Sequence, residues 1–460
     1  MDKLERILRE HRHYFQTGAT RSVPSRLKTL KTLKVLLKRE GDSLAEAIGK
    51  DLGRCWLEAW TSEPGLVLGD LRHVMQRLPF WNMKRPLRLS PLMIPGYASS
   101  SRKPYGTALI IGPWNYPAGL LLAPMVSALA AGNTVILKPS ERAPATSALL
   151  RKIMEEYFHP GIVSVVTGGG EEARWLVRNA ADIVCFTGSG STGKKVMEDA
   201  SSRPIPVILE LGGANPCFVD FDANLKEAAR RIAWGKFFAA GQTCLAPNHV
   251  FVHESIHKAF LHEMVMAVKD FYGEKPENSP DYGRIVDQAA WESLSSFLSM
   301  GNPVCGGYGM KEQLFIAPTV LSGVQEDSPL FSQEIFGPVL PVVPCKSVEK
   351  AMLLTGTGDF SPLTAYGFSA RPSKMKKLLL RTVRAGSVTV NGTLHRIVSS
   401  SFGFGGVGGS GFGRYRGKEG YRNFTWEQVV LAKSPRFEMP MIYPPYKIGR
   451  RMVRMLGKLF

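Results

Sequence analysis

Apolar and polar positions follow two rhythms along this chain. Over the first 82 residues the period is helical. Leu4, Ile7, Leu8 and Phe15 recur at helical spacing in a charged segment, and Leu30, Leu33, Leu36 and Leu37 mark one apolar face flanked by Lys28, Lys31, Lys34 and Lys38. That spacing predicts amphipathic helices. From Thr107 short apolar runs alternate with helical patterns. Ala108–Ile111, Thr134–Leu137, Val163–Val166 and Ile183–Phe186 predict four strands. Each ends in a glycine or proline turn: Gly112-Pro113, Lys138-Pro139, Thr167-Gly168 and Thr187-Gly188. Strand, loop and helix in repetition predict a parallel sheet wound with helices, whose ligands bind beyond the strand C-termini. A second α/β segment is expected from about 213 to 390. Ala118–Gly132 is apolar, interrupted by Pro124 and too short for a membrane span, so it reads as a buried helix. Pro86–Pro104 reads as extended. Phe402–Gly413 is glycine-dense; its phenylalanines and the following Tyr415, Tyr421 and Phe424 favour an ordered loop over a flexible linker.

Length and charge narrow the classes. A chain of 460 residues can hold two or three domains with sizeable cores. Its 58 basic and 39 acidic residues give a net charge of +19, which attracts nucleic acid, anionic lipid or anionic substrates. No zinc-finger, RRM or KH signature supports nucleic acid as a partner. The six cysteines are scattered without a CxxC pair, which excludes a disulfide scaffold and a zinc site and points to a reducing compartment. No metal is expected. His11 and His13 read as solvated surface. A charged N-terminus without an apolar core predicts no signal peptide, so a cytoplasmic protein is expected.

The candidate chemistry lies at motif positions. Cys244 sits in Gly241-Gln242-Thr243-Cys244, and Glu210 in Leu209-Glu210-Leu211-Gly212-Gly213, thirty-four residues upstream. A thiol on an open loop with a nearby carboxylate base is what covalent catalysis on a carbonyl requires. Packing is the commoner fate of a free cysteine. Asn115, in the turn Pro113-Trp114-Asn115-Tyr116-Pro117, can donate to a developing oxyanion or cap the next helix. Gly188-Ser189-Gly190-Ser191-Thr192-Gly193 suits a pyrophosphate at a helix N-terminus, and equally a plain strand-to-helix turn. Lys138-Pro139-Ser140-Glu141 offers a donor and an acceptor for ribose hydroxyls, or an exposed ion pair. Glu334-Ile335-Phe336-Gly337-Pro338 offers a carboxylate for a second ribose, or a helix-end glutamate.

These six motifs, in this order, resemble the aldehyde dehydrogenase superfamily over roughly Lys103 to Thr425. Asn215-Pro216-Cys217, Tyr443-Pro444-Pro445-Tyr446 and the short N-terminal segment are most similar to the class 3 branch, which includes the fatty aldehyde dehydrogenases. The resemblance implies an α/β fold. Its parts would be a Rossmann-like NAD-binding domain (1–82 and 104–211), an α/β catalytic domain (212–390), a small bridging and oligomerisation element (83–103 and 391–436) and a C-terminal tail (437–460). It implies Cys244 as nucleophile, Asn115 as oxyanion donor and Glu210 as general base. Lys138 and Glu141 would hold the adenosine ribose, and Gly188 and Ser189 would lie along the pyrophosphate. Glu334, Phe336 and Trp114 would serve the nicotinamide half. The implied reaction is oxidation of a medium- or long-chain aliphatic or aromatic aldehyde to its acid, through a thiohemiacetal and a thioester. NAD is the expected cofactor, with NADP as the second, because Glu141 beside the ribose repels a 2′-phosphate. Glu210 is expected to be ionised at neutral pH, as a glutamate of ordinary pKa ~4.3 is. A homodimer is expected.

Three positions depart from the branch. Ala214 stands where Lys is frequent, Ser399-Ser400-Ser401-Phe402-Gly403-Phe404 replaces a Leu-Pro-Phe approach to the glycine loop, and Arg416 replaces a common His. The second lies where substrate entry is expected; none is expected to touch the chemistry. A CoA-acylating aldehyde dehydrogenase is the competing enzyme, and such enzymes generally lack the base at the Glu210 position. A non-catalytic binding protein on this scaffold is the other alternative. Finally, residues 447–460 carry Lys447, Arg450, Arg451, Arg454 and Lys458 with Ile448, Met452, Met455, Leu456, Leu459 and Phe460 at helical spacing. A basic amphipathic helix is a membrane-surface pattern, so peripheral attachment to an anionic membrane is expected; packing on the protein or a dimer partner is the alternative.

Overall fold

The computed structural model describes residues 2–90, 93–354, 361–437, 443–445, 449–451, 454 and 457. The helical period of the first 82 residues becomes α1 (Asp2–Gln16), α2 (Val23–Leu52), α3 (Trp56–Ser62) and α4 (Pro64–Trp81). Leu30, Leu33, Leu36 and Leu37 are buried, while Lys28, Lys31 and Lys38 stay exposed. α2 starts on Ser22, whose side chain accepts from the Ser25 N–H, and ends on Gly53 at φ 62°. His11 corrects the sequence reading. It is fully buried, its Nε2 lies 2.9 Å from Ser164 Oγ, and burial pushes its pKa down to about 3. It shares a face with Leu4, Ile7 and Leu8, whose spacing it completes.

The extended stretch holds β1 (Arg85–Pro86) and β2 (Gly96–Pro104). The strand–helix alternation follows as β3 (Thr107–Ile111), α5 (Gly119–Ala131), β4 (Thr134–Lys138), α6 (Pro144–Tyr157), β5 (Val163–Val165), α7 (Gly170–Asn179), β6 (Ile183–Gly188), α8 (Gly190–Ala200) and β7 (Val207–Leu211). Strands β7-β6-β3-β4-β5 are neighbours in that order and all parallel. α5 runs unbroken through Pro124 and is buried from Leu121 to Ala131.

The second α/β segment comprises β8 (Asn215–Val219), α9 (Leu225–Phe237), β9 (Pro247–His253), α10 (His257–Tyr272), α11 (Gln288–Ser295), β10 (Asn302–Cys305), β11 (Gly309–Met310), β12 (Phe315–Ile316), β13 (Thr319–Ser322), β14 (Val339–Cys345), α12 (Val348–Leu354), β15 (Ala365–Phe368), α13 (Pro372–Thr382) and β16 (Val388–Val390). Its seven-stranded sheet has the order β10-β13-β14-β9-β8-β15-β16, with only β10 antiparallel. The chain then adds β17 (Gly411–Phe412), α14 (Gly417–Asn423) and β18 (Thr425–Lys433).

The glycine-dense stretch is ordered. β17 pairs antiparallel with β7, placing Gly411 opposite Glu210. Phe404 and Tyr415 exchange backbone hydrogen bonds of 2.8 and 2.9 Å, and both rings are buried. β18 pairs along its whole length with β2 and leaves Val429, Val430 and Leu431 exposed. No helix among the described residues is long and apolar enough to cross a membrane. The basic amphipathic pattern of 447–460 falls mostly outside the described residues.

Candidate active site

Cys244 follows α9 and a backbone turn that few residues adopt. Ala239, Ala240 and Gly241 have φ of 53°, 52° and 75°. A left-handed non-glycine residue costs about 1–3 kcal/mol and persists only when its surroundings over-determine it. At Gly241 a Cβ would lie 2.3 Å from Gly337 O, so only glycine fits. Two buried amides hold the turn. Gln242 accepts from the Val286 N–H at 3.0 Å and donates to Arg284 O at 2.9 Å. Asn215 donates to Cys244 O at 2.7 Å and to Ala246 O at 3.0 Å, while its Oδ1 accepts from the Thr364 N–H. Neither amide was singled out in the sequence, although each lies inside or beside a motif.

The turn of Asn115 touches this loop. Asn115 is buried and its Nδ2 donates to Gln242 O at 2.9 Å. An amide carries two N–H groups, so one remains to meet an incoming oxygen. The helix-cap alternative does not hold, because α5 is capped at Ala118 without a side-chain bond. Beside it, Tyr116 Oη and Thr243 Oγ1 are 2.7 Å apart.

Glu210, next to last in β7, lies beside Cys244. It is 1% exposed, and its Oε1 is buried without a hydrogen-bond partner. Burial, and then the charge of Glu334, push its pKa up to about 8. The expectation of an ordinary carboxylate is therefore corrected: at neutral pH most of Glu210 is protonated. Burial also pushes the Cys244 thiol well above its usual range, with Glu210 and Glu334 adding to the shift. Glu334 reaches this space because Gly212 and Gly213 admit it. Its Oε1 accepts from the Gly213 N–H at 2.9 Å, and a Cβ on Gly212 would lie 2.0 Å from Oε2. Phe336, at φ 49°, sets its ring edge-on to Trp114 at 5.6 Å.

Cys244 lines an apolar cavity of about 210 Å³. Leu120, Trp234, Phe238, Leu394 and Tyr415 line it. The cavity also holds a buried ion pair. Arg416 lines it with Asp70 and makes no hydrogen bond to Cys244, Glu210 or Asn115 among the described residues. A φ of 70° at the start of α14 turns its side chain inward, where Nε and Nη2 donate to the two Asp70 oxygens at 2.7 Å each.

The Cys244 loop, the Asn115 amide, a buried carboxyl and an apolar cavity thus come together around one thiol. The Aldehyde dehydrogenase family profile matches residues 2–430. The chain belongs to the aldehyde dehydrogenase family. It is 41% identical over 423 residues to the 4,4′-diapolycopene-4,4′-dial dehydrogenase of Cytobacillus firmus, covering 91% of this chain and 92% of that one. It is 37% identical over 448 residues to aldehyde dehydrogenase family 3 member B1 of Mus musculus, covering 97% and 95%. The structure of Staphylococcus aureus AldH in a substrate-bound state superposes with a TM-score of 0.94 at 35% identity, covering 98% of this chain and 99% of that one. This aldehyde dehydrogenase oxidises an aldehyde to the acid with NAD(P).

The residues present fit that cofactor. β4 ends on Lys138, which is buried, donates to Pro139 O at 2.9 Å and lies 3.7 Å from the exposed Glu141. β6 ends on Gly188, and Ser189 caps α8 by accepting from the Thr192 N–H at 3.3 Å. Thr187 Oγ1 is buried without a partner. At Gly169, Gly170 and Gly190 no atom lies within 4 Å of where a Cβ would stand. Open backbone, a helix N-terminus and a buried ammonium suit a phosphate-bearing chain.

Proposed function

We propose that this aldehyde dehydrogenase acts on apolar aldehydes, medium- to long-chain or aromatic, with Cys244 as nucleophile, Asn115 as oxyanion donor and Glu210 as general base. The observation that carries the reading is the apolar cavity whose wall includes Cys244. The printed name of the Cytobacillus firmus relative, a dehydrogenase of a diapolycopene dial, supports an extended apolar substrate.

In this reading the Cys244 thiol releases its proton to solvent, the thiolate Sγ bonds to the aldehyde carbon, and the C=O π pair moves onto oxygen, giving the oxyanion of a thiohemiacetal. The oxyanion accepts from the free Asn115 N–H and the Cys244 backbone N–H, donors of a kind worth roughly 2.7–4 kcal/mol each in the barrier. When bound, NAD(P) supplies the hydride acceptor that turns this carbon into a thioester. Lys138 and Glu141 would hold the adenosine ribose, Gly188 and Ser189 the pyrophosphate, and Glu334, Phe336 and Trp114 the nicotinamide half. Ionised Glu210 takes a proton from water, the hydroxide bonds to the acyl carbon, and the C–S bond breaks to release the acid. The same reading divides the chain into a cofactor unit (1–82 and 104–211), a catalytic unit (212–390), a bridging element (83–103 and 391–436) and a tail (437–460).

A homologous series of linear aldehydes, followed by NADH or NADPH absorbance, tests the substrate class. Each methylene moved from water into the cavity contributes about 0.8 kcal/mol, or roughly fourfold in kcat/KM. We expect kcat/KM to climb with chain length and then level, and to be higher with NAD than with NADP because of Glu141. A flat or falling series would remove the apolar-substrate reading.

The bridging element and the tail each carry a finer proposal. The exposed Val429, Val430 and Leu431 on β18, an edge strand among the described residues, suit pairing with a second copy of the chain. Residues 447–460 suit an anionic lipid surface, where each basic residue contributes about 1 kcal/mol. Deleting 447–460 is expected to lower sedimentation with phosphatidylserine vesicles and to leave the dimer intact. Unchanged sedimentation would reject the membrane contact, and loss of the dimer would assign the tail to the interface.

A further inference from the structure

The Asn115 turn and the Cys244 loop are joined by a buried ionic brace that none of the six motifs contains. Arg54, between α2 and α3, is 4% exposed. Its Nη1 donates to Glu63 Oε1 at 3.0 Å, its Nη2 donates to Glu58 O at 3.2 Å, and its Nε lies 3.6 Å from Glu58 Oε2. Its guanidinium stands over the rings of Tyr116 at 4.8 Å and Phe238 at 5.6 Å.

The two carboxylates reach in different directions. Glu63 Oε2 accepts from the N–H groups of Ala118 and Gly119 at 2.8 Å each, where α5 begins after the Asn115 turn. Glu58 Oε2 accepts from the Ala239 N–H at 3.3 Å, in the left-handed turn that leads to Cys244. The Tyr116 hydroxyl closes the circuit on Thr243, next to the nucleophile. One cation thus ties both loops to one point.

Stability alone does not explain such a group. A buried ion pair is often no better than well-packed apolar side chains of the same volume. Geometry does: oxyanion donors must be held within about 0.5 Å of the productive arrangement. We propose that Arg54, through Glu58 and Glu63, is a positioning residue that sets the separation between the Asn115 amide and the Cys244 backbone N–H. The proposal rests on the reading that these two groups hold the oxyanion.

The test measures single-turnover hydride transfer at saturating NAD(P), per folded enzyme, in Arg54→Met, Arg54→Lys, Glu63→Gln and Asn115→Ala. Met264→Ala in α10, buried in the core of the second α/β segment and outside the Arg54 brace, serves as a core control. Arg54→Met is expected to slow transfer at least ~30-fold with the NAD(P) dissociation constant within about twofold of wild type. Arg54→Lys should recover part of the rate, because one ammonium reaches one carboxylate where the guanidinium reaches two. Met264→Ala should lose thermal stability and keep the rate. If Arg54→Met does not fold, Glu63→Gln is read in its place, with at least ~5-fold slowing expected. Wild-type transfer in Arg54→Met or Glu63→Gln, with Asn115→Ala slow, overturns the brace and leaves the donor reading standing. Wild-type transfer in Asn115→Ala overturns both.

Discussion

Cys244→Ala is expected to cut aldehyde oxidation by at least ~10³-fold while leaving NAD(P) binding within about twofold. Among the described residues the side chain is the only thiol lining the apolar cavity. An alanine there removes the atom that bonds to substrate and leaves Lys138, Gly188 and Ser189 untouched. Cys185 and Cys217 give the contrast. Both are buried in sheet strands, so their replacement by alanine should lower stability and leave the rate per folded enzyme near wild type. If Cys244→Ala retains more than a few per cent of activity, Cys244 is a packing residue and the mechanism above is wrong.

Glu210→Gln should separate the two halves of the reaction. Acylation of Cys244 needs the thiol and the oxyanion donors, whereas release of the acid needs a base for water. A burst of NADH followed by turnover slowed roughly 10²–10⁴-fold is expected, the range a positioned general base contributes. The pH dependence carries the same assignment. Burial and the neighbouring Glu334 hold the Glu210 pKa near 8, so the carboxylate forms as pH rises through about 8. Deacylation in wild type should therefore rise across that range and level above it, and the rise should vanish in Glu210→Gln. Equal loss of burst and steady state, or a wild-type rate that falls from pH 7 to 9 with the fold intact, would contradict the role.

The sequence was informative where chemistry and local pattern coincide. The parallel strands β3, β4, β5 and β6 are short apolar runs followed by Gly or Pro turns, and the turn after β3 and the ends of β4 and β6 carry Asn115, Lys138 and Gly188. What stayed hidden depends on contacts between distant segments. β17 is two residues in a glycine-dense stretch, without periodicity to mark it, and its partner β7 lies two hundred residues earlier. His11 looked solvated because its neighbours Arg12 and His13 are charged or polar, yet its place on the face of Leu4, Ile7 and Leu8 takes it inside. Glu210 looked like an ordinary carboxylate because desolvation is a property of the fold, and no residue beside it in the chain signals it. The pairing of Arg416 with Asp70 in the cavity wall was hidden because the two residues lie far apart in the chain. The brace of Arg54, Glu58 and Glu63 lies in a helical region whose pattern speaks of packing.

The central claim is that the substrate carbon is carried covalently on Cys244. Intact-protein and peptide mass spectrometry of Glu210→Gln, quenched in acid after one turnover with NAD and a linear aldehyde, tests it most directly. The account predicts an added acyl mass on the peptide containing Cys244, in near-stoichiometric amount, and its absence when NAD is omitted. An NADH burst with no acyl mass on that peptide, or with the mass on another cysteine, would contradict it.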